Sequence, residues 1–122
     1  MILVDTSVWI DHLRTSIALL REALEAEEVL VHPFIIGELA CGEMKQRSEV
    51  LGLLATLPSS VVATNEETLH FIERHRLMGK GIGYIDAHLL ASVTLTDGAQ
   101  LWTRDKRLAG IAAELKIRSA GA

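Results

Sequence analysis

Residues 1–9 read MILVDTSVW, and this stretch decides how the rest of the chain is interpreted. Its four leading apolar residues predict a strand that is buried on both faces, as at the centre of a parallel sheet. Asp5, Thr6 and Ser7 follow at once, and short polar side chains of this kind suit the start of a helix. Because ligands of open α/β sheets bind beyond the carboxyl ends of the strands, we expect Asp5 to lie in such a crevice.

The composition is that of one globular domain. The chain has 122 residues, of which 49% are hydrophobic and 23% charged, so a sizeable core is expected and disorder is not. Its single cysteine, Cys41, suits a reducing cytoplasm and is expected to be a small core residue. Asp5 and Asp11 interrupt any secretory leader, and no apolar run approaches the roughly 20 residues of a membrane span.

Charge and aromatic content, taken alone, argue against a nucleic-acid partner. The formal net charge is −4 and aromatic residues make up only 4%, whereas nucleic-acid binding depends on Lys, Arg and stacking rings. A cluster of carboxylates that holds metal ions would reverse the local sign, because each bound cation is a large local charge. The net charge of the chain therefore does not exclude a nuclease with an acidic active site.

Strand and helix patterns alternate along the whole chain. Apolar spacing predicts strands at residues 1–4, 29–31, 61–63 and 100–103, an edge strand beginning at Ile117, and helices at residues 7–13, 16–26, 34–44, 46–57, 84–95 and 105–115, with one more beginning at Glu66 behind an N-cap at Thr64 or Asn65. The alternation is typical of a three-layer α/β domain with a central parallel sheet flanked by helices. We expect residues 1–122 to form one such domain.

Two acidic residues follow predicted strands, and two lie on apolar helix faces. Asp5 and Asp105 each follow a strand, where a carboxylate can also serve simply as a helix N-cap. Glu38 and Asp86 each share a helical stripe with apolar residues three and four positions away. A carboxylate on such a face is costly unless it is paired or binds a metal, and the sequence offers no obvious facing cation.

These four acids can converge on one crevice. Carboxylates held close together repel and raise one another's pKa unless a cation lies between them. Oxygen-only ligands suit Mg²⁺ or Mn²⁺ rather than zinc. One or two such ions would orient a phosphate and lower the pKa of an attacking water, so the pattern indicates metal-assisted chemistry on a phosphate.

Four segments of the chain also resemble PIN-domain nucleases, most closely the VapC toxins of type II toxin–antitoxin pairs. The segments are VDTSVWI (residues 4–10), IGEL (residues 36–39), GYIDAHLLA (residues 83–91) and LWTRDKRL (residues 101–108). Their order and spacing are specific, and together they span essentially the whole chain. Tyr84 stands where relatives often carry tryptophan, a departure that does not touch the acids.

The resemblance implies a metal-dependent endoribonuclease that hydrolyses RNA, with Mg²⁺ or Mn²⁺ as cofactor. The acidic site of the family is matched by residues to which catalytic and metal-binding roles are thereby implied: Asp5, Glu38, Asp86 and Asp105. Thr6 and Thr103 match hydroxyl positions beside that site. The resemblance further implies a Rossmann-like parallel sheet, a homodimer and a VapB-like antitoxin as partner.

Several basic residues are candidates for holding the phosphates of RNA. Arg104 directly precedes Asp105 and is expected to bind phosphate or to orient a carboxylate. Arg74, Arg76 and Lys80 form a second basic stretch. That stretch either binds phosphate or is a solvated helix end, where cations suit the helix dipole.

Two other interpretations are considered. A catalytically inactive PIN-fold module that only binds a protein partner would not need the four acids, and all four are present. An acidic α/β phosphotransfer domain, either a receiver or a phosphatase with an aspartyl nucleophile, needs a second acid one or two residues after the first. Thr6 and Ser7 occupy those positions, which argues against this class.

We expect such a nuclease to be inhibited by its partner. Apolar surface around Trp9, Leu13, Leu51 and Leu54 is predicted to form a groove for an amphipathic antitoxin helix. The negative field of the acidic crevice favours a cationic side chain from the same partner.

Overall fold

Three short strands form the parallel sheet on which the fold is built. The computed structural model describes residues 1–119, so residues 120–122 of the predicted domain lie outside the described part of the chain. Strand β1 lies between β2 and β3, and both neighbours run parallel to it. The strands are β1 (Ile2–Val4), β2 (Val29–Leu30) and β3 (Gln100–Trp102).

Seven helices connect and flank these strands within residues 1–119. They are α1 (Thr6–Arg14), α2 (Ala18–Glu25), α3 (Pro33–Cys41), α4 (Arg47–Thr56), α5 (Asn65–His75), α6 (Tyr84–Leu95) and α7 (Lys106–Glu114). The predicted α/β class with a central parallel sheet is therefore confirmed. Among the residues described, no helix has both the length and the apolar character needed to cross a membrane.

The apolar core surrounds β1. Leu3 and Val4 are fully buried, as predicted for a central strand. The sheet neighbours and the helices contribute the other large core side chains, which include Val8, Trp9, Leu20, Ile35, Leu54, Leu89, Leu90, Leu101 and Leu108. Burial of one leucine-sized side chain contributes about 1.5–3 kcal/mol, so this core fixes the helices and the polar residues that they carry.

The strand predicted at residues 61–63 is wrong. The backbone N–H of Val61 donates to Thr96 Oγ1 at 2.9 Å, and that of Ala63 donates to Ser92 Oγ at 3.1 Å. Because side chains of α6 and of its C-cap residue Thr96 bind these amides, the segment does not pair with a neighbouring strand.

Isolated bridges extend the sheet at both edges instead. Val31 pairs with Ser59, and Leu101 pairs with Arg118, each in parallel orientation. The second bridge lies next to Ile117, where an edge strand was expected, but it does not lengthen into a strand.

Trp9, Leu54 and Cys41 differ in burial from what the sequence predicted. Trp9 and Leu54 are only 2% and 1% exposed, so they belong to the core and do not line a surface groove. Cys41 is exposed although a core position was expected. The helix α3 ends at Cys41 and not at residue 44, and its last core residue is Leu39, so Cys41 lies beyond the core at the helix end.

Candidate functional site

The carboxyl ends of β1 and β3 bring the first polar residues of the site together. Val4 pairs with Trp102, and the backbone N–H of Asp5 donates to the Trp102 carbonyl at 2.9 Å. Asp5 and Thr103, which directly follow the two strands, are therefore neighbours although they stand 98 positions apart. This is the edge of the sheet at which the sequence predicted a crevice.

Two hydroxyl groups hold the carboxylate of Asp5, which is only 7% exposed. Thr103 Oγ1 donates to Asp5 Oδ2 at 2.7 Å, and Ser7 Oγ donates to the same oxygen at 2.8 Å. Asp5 occupies the N-cap position of α1, but its side chain makes no capping hydrogen bond. The simple capping role considered for Asp5 is therefore wrong, and within residues 1–119 its Oδ1 receives no hydrogen bond.

Ser7 is a site residue that the sequence interpretation missed. Its hydroxyl donates to Asp5 and accepts the backbone N–H of Arg104 at 3.0 Å, so it ties the start of α1 to the loop after β3. Thr103 Oγ1 accepts the backbone N–H of Asp105 at 3.1 Å in a parallel way. The available signal was a hydroxyl two residues after a carboxylate at a strand end, because that spacing lets a side chain bond back.

Asp105 has the capping role that the sequence left open. Its Oδ1 accepts the backbone N–H of Leu108 at 3.0 Å at the start of α7. The residue is exposed, and its second oxygen receives no hydrogen bond from the described part of the chain. A capping bond fixes the orientation of a carboxylate without using both of its oxygens.

Glu38 lies on the exposed side of α3, so its predicted position on the apolar face is wrong. The buried residues of this helix are Ile35 and Leu39. Glu38 is exposed beside α1, where Thr6 Oγ1 donates to its Oε1 at 2.9 Å. Thr6 therefore orients a carboxylate of the site. It reaches Glu38 because it lies in the first turn of α1, directly after Asp5.

Asp86 is the acid on which the site converges. It is half-buried in the first turn of α6, whose following residues Leu89 and Leu90 lie in the core. Burial raises the pKa of the Asp86 carboxyl above its ordinary value, and the negative charges of its acidic neighbours raise it further. Those neighbours are Asp5, Asp105 and Glu38.

The structure thus places Asp5, Glu38 and Asp105 near enough to Asp86 for their charges to raise its pKa, and we call this group of four acids the acidic crevice. Within the described part of the chain it does not preassemble a coordination sphere. In residues 1–119 no three acidic, histidine or cysteine side chains are gathered closely enough to hold a metal ion as they stand. Charge acts over longer distances than metal–oxygen bonds of about 2.0–2.1 Å, so both observations hold together. To bind a cation, the carboxylate side chains would have to rotate until their oxygens come within bonding distance of it.

Arg104 directly precedes Asp105 in sequence, and its guanidinium is paired with another acid. Its Nε lies 3.3 Å from Asp11 Oδ2, and the two side chains are 49% and 43% exposed. An ion pair this exposed contributes little to stability, on the order of 0–1 kcal/mol. It does orient the guanidinium, and Asp11 is a second residue that the sequence interpretation missed.

The basic stretch of Arg74, Arg76 and Lys80 is fully on the surface. Arg74 lies in the last turn of α5 and Arg76 caps that helix with a φ of +53°. The helix-end role weighed for this stretch is therefore supported, since cations suit the C-terminal end of a helix dipole.

A groove of about 840 Å³ lies beside Glu38. Its lining comes from α1, α3, α4 and the segment between α3 and α4. It includes Ile10, Leu13, Arg14, Glu38, Leu39, Met44, Lys45 and Val50. Leu13 is the one residue of the predicted groove that the structure finds in it, whereas Leu51 is half-buried outside it. The acidic crevice and the groove share Glu38.

Comparison with known proteins agrees with this geometry. The family model described as PIN domain matches residues 2–114, a range that includes the four acids. The chain belongs to the PIN-domain family. Two matched relatives are both called Ribonuclease VapC32, from Mycobacterium tuberculosis strains CDC 1551 / Oshkosh and ATCC 25618 / H37Rv. Each is 55% identical to this PIN domain over 114 residues, which cover 93% of this chain and 92% of the relative.

The resemblance to VapC proteins seen in the sequence is thereby confirmed. A PIN domain belongs to a different family from the receivers and phosphatases considered above. The individual roles of the acids and hydroxyls in this PIN domain stay predictions, to which the geometry adds the bonds of Ser7, Thr6 and Thr103.

Removal of the Asp86 charge should stabilise the fold in a pH-dependent way. Because the folded-state pKa of Asp86 is raised, the unfolded chain ionises first as pH rises, and folding stability falls between the ordinary carboxyl pKa and the raised one. Asp86→Asn should therefore unfold at a higher temperature than the wild type at pH 7. Below the ordinary carboxyl pKa the gain should vanish, since both folded and unfolded Asp86 are then protonated.

Glu22→Gln is the matched control, because Glu22 is an exposed acid on α2. Thermal unfolding of the three proteins across this pH range checks the prediction. A gain of Asp86→Asn that is the same at every pH, or that Glu22→Gln reproduces, would contradict the electrostatic origin.

Proposed function

We propose that the protein is the toxin of a type II toxin–antitoxin pair and a divalent-metal-dependent endoribonuclease. In this proposal residues 1–122 form a single PIN domain that works in the cytoplasm as a homodimer. The observation that carries it is the crowding of Asp86 by three other carboxylates, because so much negative charge in one crevice calls for a cation. The name Ribonuclease VapC32 of a relative that is 55% identical supports RNA as the substrate.

The donor set fits Mg²⁺ or Mn²⁺. All four side chains offer carboxylate oxygens, which these hard cations prefer. The ion pair of Arg104 with Asp11 is the only salt bridge within residues 1–119, so no described cation neutralises the four acids. We assign Asp5, Asp86 and Asp105 as ligands of one or two ions, with Glu38 completing or tuning the site.

Groups of the chain itself orient these ligands. The hydroxyls of Ser7 and Thr103 hold one oxygen of Asp5, and a helix amide holds one oxygen of Asp105. Each carboxylate is thereby fixed while its second oxygen remains available to a cation. With a divalent ion held there, the site would lower the pKa of an attacking water and neutralise charge at the departing oxygen of a phosphodiester.

Cleavage should depend on the acids and on the metal together. Asp5→Asn and Asp86→Asn should each abolish cleavage of RNA while the protein stays folded, because each loses a ligand charge. Mg²⁺ or Mn²⁺ should raise the melting temperature of the wild type and raise that of Asp86→Asn less, since only a bound ligand stabilises the folded state. Calorimetry and an RNA cleavage assay with and without chelator measure both effects.

Asp97→Asn is a control for this pair, because Asp97 is an exposed acid in the turn after α6. If metal stabilises the wild type and Asp86→Asn equally, Asp86 is not a metal ligand. Absence of any chelator-sensitive cleavage by the wild type, with partner binding intact, would favour the inactive binding module instead.

We assign RNA phosphate binding to Arg104, with Thr6 and Thr103 at the edges of the same crevice. Its Nε is paired with Asp11, so the terminal nitrogens of an exposed guanidinium remain for a phosphate. The basic stretch around Arg74 is a weaker candidate because it also serves a helix end.

Neutralising Arg104 should weaken RNA binding and its salt dependence. Each phosphate contact that is lost lowers the slope of log K against log salt by about 1. Arg104→Gln should show this loss, whereas Arg21→Gln removes the same charge from α2 and should not. Fluorescence anisotropy in a catalytically inactive Asp86→Asn background measures the RNA affinity and its salt dependence. An unchanged salt slope in Arg104→Gln would contradict the assignment.

A VapB-like antitoxin is the partner that we assign to the groove. Ile10 and Leu13 are 41% and 40% exposed there, which suits the apolar face of a partner helix. Glu38 connects the groove to the acidic crevice, so a partner that fills the groove comes within reach of the site. We propose that a basic side chain of the antitoxin then enters the crevice, drawn by its negative field.

Leu13→Ser should weaken antitoxin binding by about tenfold, which corresponds to ~1.4 kcal/mol. Leu95→Ser is the matched control, because Leu95 is 44% exposed at the end of α6 and does not line the groove.

On the partner, replacement of the basic side chain should restore much of the nuclease activity while costing only part of the affinity. Titration of RNA cleavage against intact and substituted antitoxin tests this, and full inhibition by the substituted one would place control elsewhere.

A further inference from the structure

Glu38 and Asp86 lie on two helices that share little direct backbone contact. Helix α3 packs closely on α1 and α4, whereas α6 packs closely on α5 and β3. Both helices pack into the same core, and side-chain links between α3 and α6 further restrict the relative position of the two carboxylates. One such link exists in the core, where His32, Ser92 and His88 are 0%, 0% and 3% exposed.

Ser92 Oγ is the centre of this link. It accepts the backbone N–H of Ala63 at 3.1 Å and lies 3.1 Å from His32 Nε2 and 3.4 Å from His88 Nδ1. The other ring nitrogen of His32, Nδ1, accepts the backbone N–H of Phe34 at 3.0 Å and so forms the N-cap of α3. One imidazole therefore caps α3 and contacts α6 at the same time.

These contacts fit a single arrangement of protons. Because Nδ1 of His32 is an acceptor, the neutral ring carries its hydrogen on Nε2 and donates it to Ser92. The oxygen of Ser92 then uses its two lone pairs for His32 and Ala63, and its own hydrogen goes to His88 Nδ1. Burial and the nearby His88 lower the pKa of His32 to about 4, so the ring is neutral at pH 7.

We propose that His32 is a positioning residue, which fixes the start of α3 against α6 through Ser92 and thereby holds Glu38 in place relative to Asp86. The inference rests on the proposed function, since it concerns the same acidic site. Each carboxylate stands six residues along its helix from the linked residue, which is about 9 Å at 1.5 Å per residue. Over such a short rigid helix, a shift at the link displaces the carboxylate by a similar amount.

Two substitutions remove this link from opposite sides. His32→Asn retains an amide oxygen that can cap α3 but is too short to reach Ser92, and Ser92→Ala removes the partner hydroxyl. Each should lower the single-turnover cleavage rate by about tenfold. This is the lower end of the roughly 10- to 100-fold loss that follows removal of a direct partner of a metal ligand, because the link acts on Glu38 only through the helix. The KM for RNA should change little, because both residues are fully buried and cannot contact RNA. The double variant should be no slower than the slower single variant, since both remove the same bond.

Thr68→Val is the matched control. Thr68 is also fully buried, and its hydroxyl donates to the Thr64 carbonyl at 2.9 Å within the first turn of α5, with no bond to α3. This variant should lose stability through a buried hydrogen bond but should cleave at the wild-type rate per folded molecule. A loss of rate that merely follows stability across all variants would overturn the proposal.

Amide hydrogen exchange gives a readout that needs no activity. His32→Asn and Ser92→Ala should speed exchange across α3, whereas Thr68→Val should not. If the wild type cleaves RNA and both variants match its rate, the positioning role is wrong although the proposed function stands. If the wild type cleaves no RNA, the proposed function fails, and the exchange of α3 then decides for or against the link alone.

Discussion

The parallel pairing of β1 with β3 is the constraint on which the rest of the site depends. It places Asp5 beside Thr103, and the hydroxyls of Thr103 and Ser7 then share one oxygen of the Asp5 carboxylate. Without that register, the loop after β3 would not bring Asp105 to the same edge of the sheet. The core around Leu3 and Val4 maintains the register, because a slip would expose apolar side chains.

Repulsion among the four carboxylates opposes the arrangement in which the folded core holds them. The pKa of Asp86 is raised first by burial and then by the charges of the other three acids, which make its ionised form less favourable. Helix and hydroxyl bonds to Asp5, Asp105 and Glu38 hold these carboxylates in place despite that repulsion. A cation would convert the same crowding into a favourable interaction, which is why we connect the crowding with metal-dependent chemistry.

The helices differ in how far their positions followed from the sequence. The helix of α6 was predicted at the bounds that the structure has, because its apolar stripe and the preceding glycine define both face and start. The end of α3 and the burial of Cys41 were mispredicted, since apolar residues near a helix end can project past the core. The segment 61–63 has a strand-like sequence, yet side chains of α6 and of its C-cap residue bind its amides.

The sequence by itself determined the α/β class, the PIN-domain resemblance and the four acids, because strand ends and motif spacing are local properties. Only the tertiary structure decided which distant side chains meet around those acids, as Thr103 meets Asp5 across 98 positions. Ser7 and Asp11 act on groups that lie more than 90 positions away along the chain, and His32 reaches Ser92 across 60 positions. Such contacts depend on how helices pack against the sheet, and no local pattern of residues encodes that geometry.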